Sequence, residues 1–259
     1  MLRGAALAAL IIVGLSAAAL PARSGEAVDA AIVLAADVSR SIDDDEFALQ
    51  RKGYAAALGD PRVLKAITSG PNRSIALTFI EWSGADEQQT VVDWAVLRDG
   101  EDAAVIAGQI LTAPRSFLAR TAIGAAIDFS LDRLAAAPPT AERKVIDVSG
   151  DGTSNAGRPV TEARDAAVAK GVTINGLAII NTRTAPGFTM HTQPPGGLPN
   201  YYKENVIGGP GAFLLVVENF ETFADAMTRK LVSEIADIPG GEDGRTLAAF
   251  RNSNDGSRR

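Results

Sequence analysis

Short apolar runs alternate with longer amphipathic stretches along this chain. Residues 30–36 are continuously apolar, the pattern of a strand buried on both faces. Residues 74–82 and 91–97 are also strand-like, and the turn-rich Ser83-Gly84-Ala85-Asp86 near their junction predicts a hairpin. Residues 144–149, 172–180 and 213–217 repeat the short, β-branched pattern. Between these runs the period lengthens. Phe47, Tyr54 and Leu58 share one helical face; so do Ile123, Ile127, Leu131 and Leu134. Phe220, Phe223, Met227, Leu231 and Ile235 mark an amphipathic last helix, and residues 160–170 a weaker one closed by Gly171. Strands alternating with helices predict right-handed crossovers and a single α/β, Rossmann-like domain. Its sheet should be mostly parallel, of about six strands with one antiparallel edge strand, with helices on both faces. No internal repeat interrupts this pattern.

The ends of the chain read differently. Residues 1–22 are expected to be a signal peptide: Arg3 leads an apolar run over 7–15, followed by small residues. Cleavage is expected after Ala19, where Ala17 and Ala19 satisfy the A-x-A pattern, or after Ala22. The run is shorter than the ~20 residues that cross a bilayer. Export to the periplasm or beyond follows, with no membrane span after the leader is removed. The folded domain is placed at 23–238, and the polar, glycine-containing 239–259 reads as a disordered tail. Residues 181–211 form a long Pro/Gly-rich loop, of a length that is commonly functional or disordered.

Composition narrows the chemistry. Of 259 residues, 46% are hydrophobic and 22% charged, which is globular. With 25 Lys+Arg against 31 Asp+Glu the chain lacks the basic balance that nucleic acid demands. There is no cysteine, which excludes disulfides, thiolate metal sites and cysteine nucleophiles, and the single histidine, His191, excludes a poly-histidine site. Any chemistry rests on oxygen.

Open α/β sheets bind ligands beyond the carboxyl ends of their parallel strands. There the first strand runs into Asp37-Val38-Ser39-Arg40-Ser41, and the 144–149 strand into Gly150-Asp151-Gly152. Thr121 opens the helix that begins near Ile123. Two carboxylates and three hydroxyls on one sheet edge are hard donors suited to Mg²⁺, Mn²⁺ or Ca²⁺. Mg²⁺ is preferred because few carboxylates are offered. Such a set leaves a coordination position open, and an acidic group from outside is its natural occupant.

In this order, D-x-S-x-S, a distant Thr and a distant Asp-Gly resemble the metal-ion-dependent adhesion site of von Willebrand factor A (vWA) domains. The resemblance covers residues 27–238. VSRSID, RTAIGAAIDF, KVIDVSGDG with GRPVTEARDAA, TINGLAI and VIGGPGAF further resemble a bacterial, secreted family of unknown function with that fold. The resemblance implies that Ser39, Ser41 and Thr121 ligate a metal through their hydroxyls. It implies that Asp37 and Asp151 hold the ion largely through water. It implies a binding module completed by an Asp or Glu of a partner protein, and not an enzyme. A metal-dependent hydrolase and a metal-independent assembly scaffold are the alternatives. The family usually carries Thr-Asp-Gly where this chain has Gly150-Asp151-Gly152, a departure that bears on local hydrogen bonding.

Each residue also has an ordinary reading. Ser41 with Asp44 fits a capping box, Thr121 an N-cap, and Asp151-Gly152 a turn pair. The acidic run Asp43-Asp44-Asp45-Glu46 suits the positive end of the first helix. Glu81 and Asp147, charged residues in apolar strands, require cationic or backbone partners, or stand behind the metal. His191 is expected to be solvated; no G-x-S-x-G elbow accompanies it. Gly208-Gly209-Pro210-Gly211 lacks the spacing of a nucleotide loop. Phe188, Tyr201 and Tyr202 either contact a partner or cover the sheet edge.

Overall fold

A computed structural model describes residues 25–180 and 194–236. The leader over 1–22, the tail over 239–259, Phe188 and His191 lie outside the described residues. Six strands form one sheet: β1 (Ala27–Asp37), β2 (Ile75–Trp82), β3 (Gln88–Leu97), β4 (Thr140–Gly150), β5 (Val172–Ile179) and β6 (Leu214–Val217), in the order β3-β2-β1-β4-β5-β6. All pairings are parallel except β2–β3, the expected hairpin at the edge. The order reverses between β1 and β4. In doubly wound sheets that reversal opens a crevice at the strands' carboxyl ends.

The helices are α1 (Asp44–Leu58), α2 (Pro61–Ser69), α3 (Gly100–Thr112), α4 (Ile123–Ala135), α5 (Val160–Val168), α6 (Gly197–Tyr201) and α7 (Phe223–Ala236). A π-helical turn, Tyr202–Val206, continues α6, and a short 3₁₀ turn, Phe220–Thr222, leads into α7. Alternation along β1 divides the core into two layers. Ala30, Ile32, Leu34 and Ala36 pack with Tyr54, Ile67, Ile106, Phe223 and Leu231 from α1, α2, α3 and α7. Ala31, Val33 and Ala35 pack with Ile123, Ile127, Ala163, Tyr202 and Val206 from the opposite layer. β1 is therefore buried on both faces, as its unbroken apolar run predicts.

Three helical segments depart from the expected pattern. α2 and α3 fill stretches to which the apolar period assigns no helix. Both are started by side chains: Asp60 caps α2 ahead of Pro61, and Asp99 accepts from the N–H groups of Glu101 and Asp102 at the head of α3. The third, α6 with its π turn, replaces part of the loop expected over 181–211. Leu198, Tyr202 and Val206 provide its buried side chains, at spacing four.

Two buried charges in the strands find cations. Arg51 of α1 forks onto Glu81 Oε1 through Nη2 at 2.5 Å and Nε at 3.0 Å. Its Nη1 donates to the carbonyls of Ile110 and Ala113. Lys230 of α7 lies 2.6 Å from Asp147 and 2.6 Å from Glu234, all three fully buried or nearly so. Glu81 and Asp147 are thus paired structurally, in agreement with one of the two readings open to them.

α1 and α7 cross at Gly53, where a Cβ would run into the ring of Phe223 and reach 3.3 Å from the Ala224 nitrogen. Gly53→Ala adds about 0.8–1 kcal/mol of helix propensity but overpacks a closed contact, worth about 1–3 kcal/mol. The expected result is a net loss, read as a lower urea midpoint with an unchanged slope. A rise in midpoint would show that α7 has room to move aside.

Candidate metal centre

Asp37 is the last residue of β1 and fully buried. Its Oδ1 accepts from the Ser39 N–H at 2.7 Å, which folds the following residues back over the strand end. Three carbonyls of that loop, those of Val38, Ser39 and Ile42, accept from Nη2 of Arg115 at 2.9, 3.0 and 2.8 Å. Three of the loop's carbonyls are thereby satisfied by one guanidinium, while the N–H groups of Val38 and Arg40 donate to the carbonyls of Trp82 and Ala119.

The loop's serine hydroxyls form a chain. Ser39 Oγ lies 3.2 Å from Ser41 Oγ, and Thr121 Oγ1 donates to Ser39 Oγ at 3.3 Å. Ser41 Oγ donates to Asp151 Oδ1 at 2.7 Å. Asn155 fixes Thr121 from both sides: its Oδ1 accepts from the Thr121 N–H at 3.0 Å, and its own N–H donates to the Thr121 carbonyl at 2.8 Å. Asp37, Ser39, Ser41, Thr121 and Asp151 are thus brought together at the crevice between β1 and β4. Four of the five are buried and Ser41 is half-buried, so the cluster meets solvent on the side of Ser41.

Two of the ordinary readings fail here. The capping box of α1 is Asp43 with Glu46: Asp43 Oδ1 accepts from the Glu46 N–H at 2.8 Å, and Glu46 Oε2 from the Asp43 N–H at 2.9 Å. Ser41 with Asp44 is not the box, because the Ser41 hydroxyl is turned to Asp151. Thr121 is not an N-cap either, since α4 starts from Ala122 without a side-chain cap. The acidic run behaves as expected: Asp43 caps α1, and Asp44, Asp45 and Glu46 occupy its first turn.

The electrostatics are those of a site short of positive charge. Burial, and then the nearby Asp151 carboxylate, push Asp37 up to about 8. Asp37 Oδ2 is buried without a hydrogen-bond partner, and so is the hydroxyl of Tyr202. A divalent cation would relieve both the repulsion and the unmet acceptor, and the donors are the hard oxygens such an ion takes. Among the described residues no group of three or more His, Cys, Asp or Glu is arranged so that it could hold a metal ion. The hydroxyls must therefore supply much of any coordination shell.

Arg115, Asn155 and Tyr202 belong to this site but not to the candidate set read from the sequence. None lies in a motif: Asn155 follows Asp151 by four residues, Arg115 precedes Thr121 by six, and Tyr202 comes from a distant segment. Tyr202 is fully buried, which assigns it to covering the sheet and removes it as a partner contact; Tyr201 is half-buried.

Solved structures share this fold. The proximal thread matrix protein 1 of the mussel byssus, in the structure with a zinc-occupied MIDAS motif, aligns at a TM-score of 0.54 with 20% identity. That alignment covers 82% of this chain and 49% of the mussel protein. A von Willebrand factor type A protein from Catenulispora acidiphila aligns at 0.56 with 13% identity, over 81% of this chain and 43% of that one. The pilus adhesin SpaC from Lactobacillus rhamnosus GG aligns at 0.54 with 14% identity, over 84% and 32%. The chain spans about half, or less, of the length of these proteins. No curated protein sequence matches it. The fold is that of vWA domains, and over residues 27–239 the chain matches, and so belongs to, the family described as Protein of unknown function (DUF1194).

Proposed function

We propose that this chain is an exported protein-binding module that holds a divalent cation with Asp37, Ser39, Ser41, Thr121 and Asp151. An Asp or Glu of a partner protein takes the remaining coordination position. The observation that carries the reading is the cluster itself: three linked hydroxyls and two buried carboxylates at the switch point of the sheet. With neutral hydroxyls as the direct ligands and the two carboxylates held back largely through water, the ion keeps an electrophilic face for a carboxylate from outside. A cleft of about 410 Å³, lined by Ser154, Asn155, Arg158, Thr161, Tyr201 and Asn205, offers polar groups to the residues flanking that carboxylate. Among proteins of this fold, one is named an adhesin and another is described with a zinc-occupied MIDAS motif, in keeping with the reading.

Mg²⁺ is the proposed ion, with Mn²⁺ and Ca²⁺ as alternatives. The test is thermal unfolding of chelator-stripped protein with each ion added, with Zn²⁺ alongside. At about 100 times its Kd an ion adds about 2.7 kcal/mol, or about 5–10 °C at this size. Asp37 must give up its proton to serve the ion. Binding should therefore strengthen as pH rises toward about 8 and release protons to the buffer. Capture of an acidic partner that chelator abolishes supports the module. No shift with any ion, backed by a blank calorimetric titration, removes the cation from the reading. Metal-dependent turnover of phosphoesters or esters points instead to a hydrolase.

A further inference from the structure

The alternation of β4 decides which layer its last residues face. Asp147 turns to Lys230 of α7, and Ser149 to Tyr54 of α1, whose hydroxyl lies 2.7 Å from Ser149 Oγ. Ile146 and Val148 face the opposite layer, and Gly150 follows them. A Cβ on Gly150 would lie 2.6 Å from the Tyr202 hydroxyl and 2.9 Å from Asp37 Oδ2. Gly150 does not have the left-handed backbone that favours glycine. What requires glycine here is the tyrosine hydroxyl together with the Asp37 side chain, whose Cβ would lie 3.3 Å away. Gly176, on neighbouring β5, leaves room for three side chains at once: its Cβ would come 2.9 Å from Leu214 Cδ1, 3.0 Å from Ile207 Cγ2 and 3.1 Å from Tyr202 Cδ1. Two glycines on adjacent strands therefore form a slot through which the π-helical turn delivers one hydroxyl to the metal centre.

The hydroxyl has a donor to give, and Asp37 Oδ2 an acceptor to fill; both are buried and neither has a hydrogen-bond partner. Removing a buried hydroxyl that makes no bond leaves a fold no weaker, so fold stability alone does not explain the tyrosine. We propose that Tyr202 is a positioning residue of the cation site. Its hydroxyl supplies the oxygen that this chain lacks at position 150, and with Asp37 it orients the oxygen shell of the ion. This rests on the reading of the cluster as a cation centre. It adds a member from a segment that carries no motif, and it explains why Gly150 precedes Asp151 where related patterns have threonine.

The test uses the full chain, stripped of metal, titrated with Mg²⁺, Mn²⁺, Ca²⁺ and Zn²⁺ by calorimetry and melted without metal. Tyr202→Phe should bind about tenfold more weakly, while its metal-free melting temperature stays equal or rises. Gly150→Ser added to Tyr202→Phe returns a hydroxyl beside Asp37, whose Oδ2 lies 2.9 Å from the new Cβ and must give way; it should recover part of the lost affinity. Unchanged affinity in Tyr202→Phe overturns the proposal. So does a loss of affinity matched by a lower metal-free melting temperature, which would mark a packing role. A double variant that melts no lower than Tyr202→Phe without metal, yet binds no tighter, refutes the substitution of one hydroxyl for the other. Wild-type protein that binds none of Mg²⁺, Mn²⁺, Ca²⁺ and Zn²⁺ removes the cation reading itself, and the proposal falls with it.

Discussion

Lys230→Met is expected to lower the stability of the fold by about 3–5 kcal/mol, the usual consequence of leaving buried charge without its partner. Methionine keeps most of the side chain's length and apolar stem, so the loss reports the charge and not a cavity. In the native protein a single ammonium lies 2.6 Å from each of two carboxylates, Asp147 and Glu234. Asn175 supports the arrangement by donating to Glu234 Oε1 at 2.8 Å. One cation cannot neutralise two buried anions, and burial, with Glu234 beside it, pushes Asp147 up to about 7. The sign follows from where the extra proton sits. Between about pH 4 and 7 the folded state binds a proton that the unfolded chain has released, so this group's contribution is full below about 4 and is lost as pH rises through 7. Without Lys230 the two carboxylates repel unopposed, and taking up protons relieves them. The destabilisation of Lys230→Met should therefore be smaller at pH 5 than at pH 8 in urea unfolding. A loss under 1 kcal/mol, or one independent of pH, would show that water reaches the cluster.

Asp37→Asn should separate binding from folding. Asparagine keeps the acceptor for the Ser39 N–H and removes a buried negative charge that faces Asp151. Because Asp37 is raised to about 8, the metal-free wild type loses stability from this group as pH climbs from about 4 through 8. The variant has no such loss. At pH 8 without metal it is expected to be at least as stable as the wild type, yet to gain nothing from the ion that adds about 2.7 kcal/mol to the wild type at 100 times its Kd. Stability withheld from the fold and kept for a ligand is a common mark of functional residues. Thermal unfolding of both proteins with and without Mg²⁺ decides the matter; an equal gain in the variant would take Asp37 out of the site.

Much of this was legible before any coordinates, for identifiable reasons. All six strands follow apolar runs, because a sheet covered on both faces needs unbroken burial along its central strands. The edges of the site were legible where several residues share one loop, as in Asp37, Ser39 and Ser41. Thr121 was legible only by its place at the head of a helix on that sheet edge, and its role as a ligand only by the family resemblance. The cap of α1 was misplaced by two residues because Ser41/Asp44 and Asp43/Glu46 have the same spacing. Only the structure shows that the Ser41 hydroxyl is engaged elsewhere. α2 and α3 announce themselves by Asp60-Pro61 and Asp99, signals of capping and not of periodicity. Arg115, Asn155, Lys230 and Tyr202 could not be assigned, because each acts across a long stretch of chain on a partner that only the fold brings near.

Arg115 gives the site a further property. By gathering the carbonyls of Val38, Ser39 and Ile42 onto one planar group, it sets the curve of the loop when the chain folds. The conformational entropy of that loop is surrendered at folding and not at association. On the proposed function, an acidic partner meets a pre-organised surface, and dissociation rate, more than rate of encounter, is expected to distinguish one acidic group from another.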